Sequence, residues 1–198
     1  MPYKELLSVV AIMLTIVAFF PYIRSILNDE IKPHVFSWII WGTTTFVVFL
    51  AQLEDDGGVG AWPIGVSGII TIFIAVLAYV KRADITITSI DWLFFITALS
   101  SLPLWYLTSE PLFAVIVLTA VDVLGFGPTV RKAYIFPFSE SLLFFSLFAA
   151  RNIIVIMALE NYSITTVLFP AVIALACLLL NTMIMIRRRV MSQDTSNL

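Results

Sequence analysis

The stretch Phe19-Phe20-Pro21-Tyr22-Ile23-Arg24 closes the first long apolar run of the chain, and Phe126-Gly127-Pro128-Thr129-Val130-Arg131 closes a later one. Pro21 and Pro128 are 107 positions apart, and so are Arg24 and Arg131. The same offset relates Trp62-Pro63 to Phe169-Pro170 and Lys81-Arg82 to Arg188-Arg189. Phe36-Ser37 relates to Phe145-Ser146 at 109, which takes a two-residue insertion. Recurrence at a fixed offset is the mark of two copies of one structural unit.

The runs between these anchors are continuously apolar. Of the 198 residues, 61% are hydrophobic and 12% are charged, with a mean hydropathy of +1.03. Uncharged runs of about 18 or more apolar residues read as helices that cross a bilayer. Lipid offers backbone groups no water, so a span is a helix or part of a closed barrel. The runs do not alternate, which selects helices. Seven spans are predicted: Leu6–Ile23, Val35–Leu53, Ala61–Val80, Trp92–Thr108, Leu112–Val130, Ser141–Leu159 and Ile164–Ile186. The first run is too long for a signal h-region and reads as a retained span. The polar tail after Arg189 is expected to be disordered.

Charge supports the count of seven. Arg24, Lys32, Lys81, Arg82, Arg131, Lys132 and Arg187 to Arg189 fall on one side, and only Lys4 on the other. Cationic loops stay in the cytoplasm. The expected location is the plasma (inner) membrane, with the N-terminus outside and the C-terminus cytoplasmic. Two three-span units share one orientation only if an odd span joins them. The predicted organisation is therefore a first triple-helix repeat over 1–86, a connector over 87–109 and a second repeat over 110–198. The fold class is an all-α membrane protein of seven helices with two parallel repeats.

This three-plus-one-plus-three plan, with Pro21-Tyr22-Ile23-Arg24 followed by Phe36-Ser37, resembles the SWEET and PQ-loop transporter superfamily. The resemblance covers nearly the whole chain and implies alternating access with a site between the repeats. Pro21 and Pro128 are then the matched hinge positions, since proline removes a helix hydrogen bond and bends the chain. Tyr22 and Thr129 stand where the PQ-loop pattern has Gln, and Ile64 and Ala171 stand where plant sugar carriers have Asn.

Two charges fall near the bilayer midplane, Asp122 in the fifth span and Arg151 in the sixth. A charge there costs roughly 2.5–3.5 kcal/mol on insertion scales. The two are expected to face each other or a shared watery cavity. With Asn181, Asn152 and Trp41 they form the candidate substrate site, and Asp122 is the candidate carrier of a coupling proton. Arg with Asp suits a zwitterion, an acid or a proton-coupled polar metabolite better than a neutral sugar.

Other chemistries fail on inventory. One His and one Cys cannot build a common zinc or haem site. Lys132 is the last lysine, which rules out a Schiff base in the last span. No basic patch interleaved with aromatics points to nucleic acid. No metal, cofactor or enzyme activity is expected. The expected function is small-solute transport, with a non-transporting receptor or accessory protein of the same fold as the alternative. The partners expected are the bilayer, a small polar solute and a second copy of the chain in a homo-oligomer.

Overall fold

The computed structural model describes residues 2–30, 33–81, 87 and 89–196. Lys32, Arg82 and the expected repeat boundary at residue 86 lie outside them. The helices are α1 Pro2–Leu27, α2 Val35–Glu54, α3 Trp62–Val80, α4 Ser89–Thr108, α5 Pro111–Gly125, α6 Gly127–Ile135, α7 Leu142–Ala158 and α8 Ile164–Ser196. No strand occurs among the described residues. Five apolar segments are long enough to cross a membrane: Pro2–Leu27, Val35–Glu54, Gly58–Val80, Pro111–Ile135 and Ile164–Ser192. Trp92–Thr108 and Leu142–Ala158 are apolar but shorter. The chain has the character of a helical membrane protein.

Local chemistry sets the helix ends. Pro63 and Pro111 occupy first-turn positions of α3 and α5, where a missing N–H costs nothing. Ser141 caps α7, its hydroxyl accepting from the Phe144 N–H at 3.2 Å. Asp29, Asp56 and Ser109 take positive φ in the turns after α1, α2 and α4. The turn after α1 is held from α3, because Lys81 Nζ donates to the Leu27 carbonyl at 3.0 Å and pairs with Asp29 at 3.1 Å. In the same turn the Asn28 amide and then the Ser25 hydroxyl hold the Glu30 carboxyl below the usual carboxylate range.

Two helix groups pack side by side. In the first, α3 packs against both α1 and α2, whose backbones stand apart while Phe19 and Tyr22 of α1 reach Trp38 of α2. In the second, α8 packs against both α5 and α7 in the same manner. The groups join along two seams, α1 on α7 and α2 on α5. Close approach within the first group needs glycine. A Cβ on Gly42 would lie 2.9 Å from the Ile72 backbone nitrogen, and one on Gly68 would lie 3.0 Å from that of Phe46. The α4 helix runs along α5 and reaches α2, where Phe36 stacks with Trp92 and Phe95. The buried core is Ala, Val, Ile, Leu and Phe, while the outer faces expose a comparable set, including Val9, Met13, Ile16 and Phe20 of α1.

Two features differ from the sequence reading. The fifth span is interrupted at Phe126, so that α5 and α6 are separate helices. The segment after Arg189 is helical through Ser196 rather than disordered. No Gly or Pro follows Arg189 to stop the helix.

Candidate functional site

Arg151 lies in the α1–α7 seam and is 2% exposed. Its Nε donates to Thr15 Oγ1 on α1 at 3.1 Å, its Nη1 to Asn152 Oδ1 at 2.9 Å and its Nη2 to the Pro63 carbonyl at 2.6 Å. Thr15 donates its own hydrogen to the Ala11 carbonyl at 2.8 Å, so an oxygen lone pair is left to receive Arg151. Asn152 Nδ2 donates to the Phe148 carbonyl at 2.8 Å. The guanidinium also sits 5.9 Å from the centre of the Phe148 ring. Every oxygen bonded to Arg151 is neutral.

Asp122 lies in the other seam and is 7% exposed. Its Oδ1 is 2.7 Å from Thr44 Oγ1 on α2, which is fully buried. Thr44 Oγ1 is also 3.0 Å from the Trp41 carbonyl. A hydroxyl has one hydrogen. Thr44 donates it either to Asp122 or to Trp41, and both contacts are met together when a protonated Asp122 donates to Thr44. The Trp41 indole closes this side, since a Cβ on Gly125, one turn beyond Asp122, would lie 2.6 Å from its Nε1.

The expected pairing of Asp122 with Arg151 is not found. Among the described residues the ion pair at bonding distance is Lys81–Asp29, at the surface. Asp122 and Arg151 fall in different seams because α8 packs between α5 and α7. Each reaches instead to a threonine of the first helix group. Thr15 and Asp122 are 107 positions apart, and so are Thr44 and Arg151. The bonds Thr15–Arg151 and Thr44–Asp122 thus join the same two sequence positions, with the charged partner exchanged. The 109 offset that relates Phe36-Ser37 to Phe145-Ser146 sets Gly42 rather than Thr44 against Arg151, which hides this match in the sequence.

The other candidates are dispersed. Asn181 Nδ2 donates to Ser146 Oγ at 2.9 Å and approaches the Leu142 carbonyl at 3.4 Å, near the start of α7. Ser146 precedes Arg151 by about 7.5 Å of helix rise, so Asn181 is not bonded to the Arg151 cluster. Its Oδ1 is buried without a partner. Gln52, which the sequence reading passed over, donates to the Thr166 carbonyl at 2.7 Å, and its Oε1 is likewise buried and unpaired. Pro21 lies inside the unbroken α1, whereas Pro128 is the second residue of α6, just past the break.

Both ends of the seams are shut. Toward Arg24, Phe19 meets Trp38, Phe144 and Phe148 edge to face at 6.3, 6.3 and 5.2 Å, and Trp38 meets Trp41 at 5.7 Å. Toward Lys4, the turn after α2 is laced to the turn after α7. Ser163 Oγ donates to Asp55 Oδ2, Asn161 Nδ2 donates to the Asp55 carbonyl at 3.0 Å, and the Glu160 N–H donates to the Gly57 carbonyl at 3.1 Å. Lys4 Nζ donates to the Leu159 carbonyl, and Ser8 Oγ donates to the Val59 carbonyl at 2.6 Å. An open apolar groove of about 280 Å³ lies elsewhere, on the outer face between α2 and α3 by Ile39, Ile72 and Tyr79. No protein-family model, curated protein or solved structure matches this chain.

Proposed function

We propose that the protein is a small-solute transporter in which two parallel three-helix units, joined by α4, rock about a polar midplane site. The observation that carries the reading is the crossed pair of bonds, Thr15–Arg151 and Thr44–Asp122, one in each seam. A two-fold axis between the units would exchange the two seams and map each bond onto the other. The common packing order within the two groups supports such an axis. Parallel repeats that rock about a central site are a known transporter plan. Stability alone is a weak reason to keep buried charges, because apolar replacements often serve as well.

On this reading the units span 1–86 and 110–198. The side rich in Lys and Arg is cytoplasmic, and the protein sits in the plasma (inner) membrane. The structure is then the occluded state, with the aromatic cluster closing the cytoplasmic end and the Asp55–Ser163 lacing closing the outer end. Asp122 takes up the coupling proton at Thr44. A non-transporting receptor of the same fold is the second reading, favoured by the tight burial of Arg151. Counterflow of a panel of labelled amino acids, organic acids, vitamins and sugars in proteoliposomes tests the proposal. Saturable flux of one solute that disappears with Arg151→Gln supports transport. Flux no faster than from empty vesicles for every solute rejects it.

A further inference from the structure

We infer that Arg151 is the anion-binding group of this site, and that the solute is a small organic carboxylate held by the guanidinium fork. This inference rests on the transport reading for the location of the site, and on the geometry of Arg151 for the ligand. A guanidinium has five N–H donors. Three go to Thr15, Asn152 and the Pro63 carbonyl, which leaves two. Among the described residues no carboxylate lies at ion-pair distance from it, and its titratable neighbour is the Cys177 thiol. The Arg151 cluster therefore carries one net positive charge and is almost wholly buried. A carboxylate supplies the missing charge and accepts two parallel N–H bonds from the fork, a match that a neutral sugar does not offer. Asn152 Oδ1 is the neutral side-chain acceptor on the fork that a carboxylate oxygen would replace. The Nδ2 of the same amide is held by the Phe148 carbonyl.

The test uses the full chain in nanodiscs with matched probes: lactate, succinate and glutamate against lactamide, succinamide and glutamine. Binding is read by tryptophan fluorescence and by thermal shift. At least one acid should bind saturably and at least tenfold tighter than its amide. Arg151→Gln should abolish that preference. Because this variant can fail to fold, Asn152→Asp is tested beside it. It places a carboxylate on Nη1 at almost unchanged shape and gives up the Nδ2 bond to the Phe148 carbonyl, so it should block acid binding in a protein that still melts cooperatively at a somewhat lower temperature. Equal binding of acids and amides, no acid binding at all, or acid binding that survives Asn152→Asp would each overturn the inference. Proteoliposome flux separates the two proposals. Acid binding without flux keeps Arg151 as the anion site and rejects transport. Flux of a neutral solute indifferent to Asn152→Asp keeps transport and rejects the anion site.

Discussion

Thr15 Oγ1 accepts the Nε–H of Arg151 across the α1–α7 seam at 3.1 Å, and both residues are almost wholly buried. Thr15→Val keeps the shape and removes the acceptor. A buried donor left unpaired costs about 1–3 kcal/mol, and more when it is charged. The expected result is a loss of that size in SDS-titration unfolding from mixed micelles, with Thr15→Ser close to wild type. Equal stability of the Val and Ser variants would show that the bond contributes nothing.

In the other seam, Asp122→Asn keeps a group able to bond Thr44 but cannot release a proton. Its fold should survive with less than about 1 kcal/mol of change. Proton movement accompanying solute flux, followed with a pH-sensitive dye inside proteoliposomes, should vanish. Persisting proton movement would remove Asp122 from the coupling path.

Closure of the end that carries Lys4 is testable by a covalent staple. Asp55 and Ser163 already touch through their side chains. In a Cys177→Ser background, Asp55→Cys with Ser163→Cys should crosslink on oxidation. Flux should stop in the crosslinked protein and return with reductant. Unchanged flux in fully crosslinked protein would show that this end never opens.

Gly60 gives a packing test at the same end. A Cβ there would lie 2.5 Å from the Leu159 nitrogen and 2.7 Å from the Ala158 carbonyl carbon, both backbone atoms with little room to yield. Gly60→Ala should destabilise by about 1–3 kcal/mol. A Cβ on Gly127 would meet nothing within 4 Å beyond its chain neighbours, and the clash left to Gly127→Ala is the one a helical residue makes with the following Pro128, so its cost should be the smaller of the two. In thermal melts Gly60→Ala should lower the midpoint further than Gly127→Ala, and equal shifts would show that the Leu159 backbone yields.

Glu30 carries the one pH expectation outside the spans. Its carboxylate accepts from Asn28 Nδ2 at 3.1 Å and from Ser25 Oγ at 2.8 Å, which lowers its pKa. The stabilisation is present above the unfolded value and is lost as pH falls through the folded one. The Glu30 side-chain carbon resonance should titrate below the ordinary glutamate value in wild type, and nearer to it in Asn28→Ala. Coincident titrations would remove the hydrogen-bond explanation.

Continuous apolar runs make the helices readable, and the structure puts Pro63, Pro111 and Ser141 at three of their starts. The break at Phe126 was less legible. The text Phe126-Gly127-Pro128 reads equally well as a bend or as a stop. The site was legible as residue types and not as partners. Asp122 and Arg151 stood out because charge is rare in such runs, but linear order suggested that the helices bearing them were neighbours. The third helix of each group packs between the other two, and chain order does not reveal that. Thr15 and Thr44 looked ordinary, because a threonine in a span usually bonds its own helix backbone, as Thr15 also does with Ala11.

The position of α4 makes the two seams unequal neighbours of the bilayer. Along α2 and α5, α4 packs on both helices of the seam. Along α1 the residues Val9, Met13, Ile16 and Phe20 face outward with no such screen. One boundary of the molecule is therefore protein and the other is solvent in the lipid sense. In a bilayer, lipid would meet the α1 side of the arginine seam directly and the aspartate seam across α4.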